Sequence, residues 1–302
     1  MGGMSSIDLT VTRHALTLAD GRELEWSACG PTDGPVVLHH HIEPGGAEPQ
    51  RSWARAAVSR GLRFVTIARP GYGRSHRKAG RVVADFASDC AAVLDSLGAE
   101  KAFVSANSGG GPYGLGCGAV LRGRVRGIAV TAGIGPYGVP DLDYTTGMSA
   151  DNVAGIQRAL AGEATLRARL THAREGMLAG CADPEALRKH LATQLPPVDA
   201  ACLTGELAAD VARGMLDALG NGIDGWVDDE VASVAPWGFE FAALEGIPVS
   251  IWHGDEDQMI PISHGRWFAT HIPGARAHLL AGEGHISIGQ RHLDEIFDEL
   301  VG

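Results

Sequence analysis

Apolar positions along this chain come in short strand-like runs separated by helical repeats. Ile7 to Thr17 and Glu23 to Ala28 flank Asp20-Gly21, a hairpin turn signal, and Pro35-Val36-Val37-Leu38-His39 and Arg63-Phe64-Val65-Thr66-Ile67 read as the next two strands. Phe86, Cys90, Val93, Leu94 and Leu97 then recur at helical spacing, and Gly98 supplies a C-terminal stop. Further strand-like runs follow at Ala102-Phe103-Val104, Val125 to Thr131 and Pro248 to His253. Strands alternating with helices predict an α/β domain on a mostly parallel, doubly wound sheet, with its functional site at the carboxyl ends of the strands.

From about Gly135 to Asp229 the strand-like runs vanish and helical periodicity takes over. Asp183-Pro184-Glu185 reads as an N-cap with proline in the first turn, and Leu187, Leu191 and Leu195 follow on one face. A second helix is expected through Leu203 to Leu219. Asn152 to Leu178 is helix-rich but interrupted by Gly155, Gly162 and Gly176. The organisation predicted is a core of residues 1–134 and 230–302 with residues 135–229 inserted as a helical cap, whose apolar stripes serve packing.

Composition narrows the partners. The 302 residues are 45% hydrophobic and 20% charged, enough for one large core, and the formal charge of −11 argues against nucleic acid or an anionic membrane. The five cysteines, Cys29, Cys90, Cys117, Cys181 and Cys202, show no close pairing or metal spacing, and their odd number argues against a disulfide framework. A reducing cytoplasm is the expected compartment. No apolar stretch reaches the ~18 residues of a membrane span, and the N-terminus lacks a signal-peptide layout. Met1 to Ser6 matches the loose myristoylation pattern but has no polybasic neighbour, so no lipid anchor is assigned.

Candidate chemistry centres on Ala106-Asn107-Ser108-Gly109-Gly110, which follows the apolar run at 102–104 and precedes a helix-compatible stretch. A strand-to-helix turn that sharp strains its central residue, so the positions two before and two after must be small; Ala106 and Gly110 are. Near the C-terminus, the strand ending at His253 exits through Gly254-Asp255-Glu256-Asp257, and Gly282-Glu283-Gly284-His285 follows. Serine, then an acid after a strand, then histidine in a glycine-rich loop is a nucleophile–acid–base order. With Arg69-Pro70-Gly71-Tyr72-Gly73-Arg74-Ser75, these motifs make the chain resemble the α/β-hydrolase superfamily over nearly its whole length except the middle, where that superfamily inserts a helical cap.

The resemblance implies Ser108 as nucleophile, His285 as base and Asp257 as the orienting acid. Asp255 stands in the same turn, but the family spacing of glycine plus three selects Asp257. Gly109 is implied as one oxyanion donor. The second is expected from His39-His40-His41-Ile42-Glu43-Pro44-Gly45-Gly46, which resembles the family loop His-Gly-x-Pro, with the Glu43 backbone N–H as donor. Ile42 replaces the family's glycine, and is expected either to crowd the acyl pocket or to tilt the Glu43 N–H. The Glu43 carboxylate is expected to disfavour an anionic substrate.

His264, His271 and His278 read as surface or packing residues. His39 and His41 share a strand face on which a metal site is conceivable and His40 points away, but without cysteine partners no metal is assigned. Gly109-Gly110-Gly111 lacks the Lys-Ser/Thr ending of a phosphate loop, and no cofactor is expected. The function read from these residues is hydrolysis of a small carboxylic ester or related acyl bond through an acyl-enzyme, with a small molecule as the one expected partner. Two alternatives stand beside it: a proline-type aminopeptidase, using Glu163, Glu175 or Glu206 to anchor the substrate amine, and a non-catalytic ligand-binding protein of the same fold.

Overall fold

The computed structural model describes residues 9–302, so Met1 to Ser6 and the expected strand start at Ile7 lie outside the described residues. The chain forms one eight-stranded sheet of order β1-β2-β4-β3-β5-β6-β7-β8. β1 (Thr12–Thr17) and β2 (Glu23–Cys29) form the expected antiparallel hairpin, and Gly21 takes φ +83° at its turn. β2 runs antiparallel to β4 (Arg63–Ile67). β3 (Val36–His40), β5 (Ala102–Asn107), β6 (Val125–Thr131), β7 (Val249–Gly254) and β8 (Arg276–Leu280) complete a parallel array with β4.

The inner strands read as continuous apolar runs because helices cover both faces. α1 (Arg51–Val58) and the C-terminal α12 (Leu293–Val301) close one face, where Trp53, Phe64, Ile296 and Phe297 pack together. On the other face lie α2 (Phe86–Ser96), α3 (Gly111–Leu121) and, after β7, α10 (Ile262–His271), burying Phe86, Leu94, Leu115 and Phe268.

Between β6 and β7 the chain is helical: α4 (Ala150–Leu160), α5 (Glu163–Gly180), α6 (Pro184–Ala192), α7 (Pro197–Ala200), α8 (Gly205–Leu219) and α9 (Asp224–Ser233). The stretch read as one helix-rich segment from Asn152 splits at Gly162, whose φ of +104° breaks the helix. The Asp183 carboxylate caps α6, accepting from Glu185 N–H and Ala186 N–H at 3.0 Å each. α6 ends at Ala192, so Leu195 falls beyond it, and α9 continues past Asp229 to Ser233. Leu166, Leu170, Leu219 and Trp226 of these helices pack on Tyr72 and Ala68 of the core. A short α11 (Ser287–Arg291) follows β8. No helix among the described residues is long and apolar enough to cross a membrane.

Candidate active site

β5 delivers its strand end to Ser108, which sits at φ +54°, one of two non-glycine residues with positive φ among those described. That region is costly for a side chain with a Cβ, so the surroundings must hold it there. The turn passes close under the β3 exit: a Cβ on Gly110 would lie 2.7 Å from the His41 carbonyl oxygen and closer still to that of His40, so only glycine fits. Gly114, one turn into α3, likewise makes room for Ala106, whose methyl would meet an added Cβ at 2.7 Å.

Ser108 Oγ lies 3.0 Å from His285 Nε2, and His285 Nδ1 lies 2.7 Å from Asp257 Oδ2. A carboxylate only accepts, so Nδ1 carries the proton and Nε2 offers its lone pair to the serine hydroxyl. Asp257 Oδ1 accepts from Met259 N–H and Ile260 N–H, both at 2.9 Å, which locks the carboxylate. His253 Nε2, donating to the Ile260 carbonyl at 2.7 Å, stands 3.5 Å from Asp257 Oδ2. Burial alone would raise the Asp257 carboxyl, but the adjoining imidazoles His285 and His253 outweigh it and hold it well below the usual range. For His285, burial lowers the imidazole, and the charge and hydrogen bond of Asp257, with the charge of Asp199, more than offset this and leave it above its ordinary 6.5.

Asp255 stands apart: it is exposed and accepts from Gly282 N–H at 2.8 Å. The other histidines pack as expected, although His264 is buried rather than superficial. Its Nδ1 accepts from Gly135 N–H and its Nε2 donates to the Tyr144 carbonyl, both at 2.9 Å. His271 stacks on Trp267 at 4.0 Å and His278 on Trp252 at 3.8 Å between ring centres.

The loop after β3 is shaped by Arg69, which is fully buried. Its guanidinium donates to the His41 carbonyl (2.8 Å) and the Ile42 carbonyl (3.2 Å), and Nε donates to Asp229 Oδ2 (2.8 Å). Arg69 N–H donates to His41 Nε2 at 3.3 Å, so His41 Nδ1 carries the proton it gives to the Ile42 carbonyl at 2.7 Å. Arg69 appeared in the sequence only within a glycine-rich motif; nothing local announced its partners 28 and 160 residues away. Gly109 faces this loop: a Cβ there would lie 2.7 Å from the Glu43 Cβ and 3.6 Å from the Glu43 backbone nitrogen.

Ile42 departs from the sequence reading. It has no positive φ, and it lines a small second cavity with Met215 and Gly214 and is not among the residues that line the one at Ser108. Glu43 departs as well. Its side chain lines the Ser108 cavity, but burial, with Asp229 and Glu230 nearby, pushes its carboxyl well above the usual range, which disfavours the anion expected there. Its Oε1 is buried without a partner. Glu230, across the same cavity, is pushed up to about 7 by burial and by Asp229.

That cavity holds about 320 Å³, near the lower end of small-molecule sites, and Ile134, Ile156, Leu166, Leu170 and Trp226 make its walls largely apolar. Glu163, Glu175 and Glu206 do not line it. Glu163 pairs with Arg77 and Arg167, Glu206 pairs with Arg55, and Glu175 is exposed.

As expected, His39 and His41 border one small cavity and His40 lies apart from it. His39 is held by Ser105 Oγ at 2.9 Å, whereas His40 meets Cys90 and Cys117, which the sequence showed as unrelated, with donor atoms within 4.8 Å of one another. Three donors are one short of a closed tetrahedral set. Burial raises the Cys90 thiol well above its ordinary value, so it packs as a small neutral side chain in the main core.

Comparison with known proteins places this geometry. The bifunctional esterase/perhydrolase of Acinetobacter calcoaceticus is 32% identical over 97 residues, covering 32% of this chain and 35% of that one. The first curated relatives are matched over only 29% to 35% of their own length. A non-heme haloperoxidase of Rhodococcus erythropolis is 23% identical over 280 residues, 89% of this chain and 92% of that one. The crystal structure of the enol-lactonase from Burkholderia xenovorans superposes with a TM-score of 0.67 at 19% identity, covering 96% of this chain and 100% of that one, a likeness of fold. The family description "alpha/beta hydrolase fold" matches residues 35–291, which include the β3 loop, the Ser108 turn, the helical insertion and the loop of His285. The chain therefore belongs to the α/β-hydrolase fold family.

Proposed function

We propose that the protein is a serine hydrolase acting on a small carboxylic ester or related acyl bond. The observation that carries this reading is the Ser108–His285–Asp257 relay, with contacts of 3.0 and 2.7 Å and the serine in strained backbone geometry. Ser108 Oγ attacks the acyl carbonyl while His285 Nε2 takes its proton and then returns it to the leaving alkoxide; Asp257 holds the tautomer and stabilises the imidazolium. The N–H groups of Gly109 and Glu43 stabilise the tetrahedral oxyanion. Water, deprotonated by the same histidine, releases the acid.

The esterase named among the sequence relatives is in keeping with this chemistry. The cavity's size and largely apolar walls favour a short acyl group. The aminopeptidase alternative has lost its three proposed anchors, since Glu163, Glu175 and Glu206 lie outside the cavity. A fluorophosphonate probe tests the reading: it should label Ser108, and Ser108→Ala should abolish both labelling and p-nitrophenyl ester turnover. Undiminished turnover in the alanine variant would end the reading of Ser108 as nucleophile, and a parent protein without turnover on any ester would leave the non-catalytic alternative.

A further inference from the structure

Asp199 belongs to α7, within the helical insertion, yet its buried carboxylate is spent entirely on the backbone that carries His285. Oδ2 accepts from His285 N–H at 3.0 Å, and Oδ1 accepts from Ile286 N–H and Ser287 N–H at 2.9 Å each. Gly284 fits the same arrangement. A Cβ there would lie 2.5 Å from both carboxylate oxygens, and Gly284 has no positive φ, so its missing side chain serves the close approach of Asp199 and not a turn. The Ser287 hydroxyl accepts from Gly284 N–H at 2.8 Å and closes the loop from within. The glycine-rich stretch before His285 is thus a clamped segment rather than a free hinge.

We propose that Asp199 is a positioning residue: its carboxylate, carried by the cap, fixes the backbone of residues 285–287, so that His285 reaches Ser108 only while α7 is seated on the core. The proposal rests on the hydrolase reading for its consequence, though the geometry it describes does not. His285 approaches Ser108 through a single contact of 3.0 Å. Three charge-assisted bonds from one carboxylate restrain the chain at the very residue whose ring must be aimed. The carboxylate is also a second negative charge beside the imidazole. The charged groups that act on that ring are Asp257 from the exit of β7, with His253 beside it, and Asp199 from α7.

The test uses the full chain with Asp199→Ala, Asp199→Asn and Gly284→Ala. A misplacement of ~1 Å costs roughly 10²-fold in rate, so Asp199→Ala should lower kcat on a p-nitrophenyl ester by about that factor while KM changes little. Asp199→Asn keeps the oxygen that serves Ile286 and Ser287 but loses the charge. It should retain more kcat than the alanine variant, and the acid limb of its pH profile should move to lower pH. Gly284→Ala, which drives the carboxylate off its seat, should resemble Asp199→Ala, and the two changes together should cost little more than either alone. Should Asp199→Ala not fold, Gly284→Ala and Asp199→Asn carry the same comparison.

NMR titration of His285 supplies a readout independent of turnover: its pKa should fall in Asp199→Asn, and its Nδ1–H resonance should broaden or shift in Gly284→Ala. Unchanged kcat, pH limb and His285 resonance in folded variants would overturn the positioning role, even with Ser108 labelled by fluorophosphonate in the parent protein. If Ser108 of the parent is not labelled while the resonance responds as expected, the hydrolase reading fails and the clamp stands.

Discussion

Arg69 and Asp229 form an ion pair closed to solvent on both sides, with Arg69 Nε donating to Asp229 Oδ2 at 2.8 Å. One partner follows β4 in the core and the other lies in α9 of the insertion. Arg81 binds the second carboxylate oxygen, and the Tyr113 hydroxyl donates to it at 2.7 Å. The same guanidinium of Arg69 holds the His41 and Ile42 carbonyls, so the seating of the helical insertion and the shape of the loop beside Ser108 share one residue.

Asp229→Ala should be strongly destabilising. It leaves two buried guanidiniums without their counter-charge, and removing one partner of a buried pair typically costs about 3–5 kcal/mol. Burial alone would raise the Asp229 carboxyl, but Arg69 and Arg81 hold it well below the usual range. A depressed carboxyl contributes stability that is present above its unfolded pKa and lost as pH falls through its folded one. Urea unfolding should therefore show the alanine variant's deficit in full at neutral pH and a smaller one in strong acid. A deficit under 1 kcal/mol at pH 7 would contradict the role assigned to this pair.

Asp257→Asn should lower kcat by roughly 10⁴, the scale of a histidine held in the wrong tautomer, whereas Asp255→Asn should change it little. Asp255 serves only Gly282 N–H on the surface. Steady-state kinetics on one activated ester decides the ranking, and the reverse order would remove Asp257 from the relay.

The pH profile of kcat/KM should rise through one ionisation above 6.5. Burial lowers the His285 imidazole, but Asp257 outweighs it, so the base becomes neutral only on the alkaline side of its ordinary value. A profile flat from pH 5 to 9 would exclude a histidine base.

Glu43→Gln should flatten the dependence of stability on pH. A carboxyl raised by burial favours the folded state while protonated, so its contribution is full below the unfolded value near 4.5 and is lost as pH rises toward the raised folded value. The parent protein should lose stability over that window and the glutamine variant should lose less, as read by thermal unfolding at a series of pH values. Equal slopes would show that Glu43 is ionised in the folded protein.

Ile42→Gly should leave the acyl-chain preference unchanged and lower stability, because Ile42 lines the second cavity and not the one at Ser108. A broadened acyl range in a chain-length series would restore the expectation read from sequence, that Ile42 crowds the pocket.

The sheet, the helical insertion and the meeting of Ser108, Asp257 and His285 were legible in the sequence because each leaves a local trace. Strands buried on both faces read as apolar runs, and the turn at Ser108 needs small neighbours at Ala106 and Gly110. The acid turn and the histidine loop are marked by their glycines. What only the tertiary structure decided lies in contacts with no local signature. Asp199 reaches His285 across 86 positions, and Arg69 reaches Asp229 across 160. An aspartate in a short helix looks the same in sequence whether it faces solvent or clamps a backbone. Gly284 reads in sequence only as part of a glycine-rich loop, because a glycine required for close approach cannot be told from one required for flexibility until the approaching group is seen. The surroundings of Ile42 and Glu43 were not legible for a related reason: which cavity a loop residue borders, and how far burial raises a carboxyl, depend on what the rest of the chain packs around it.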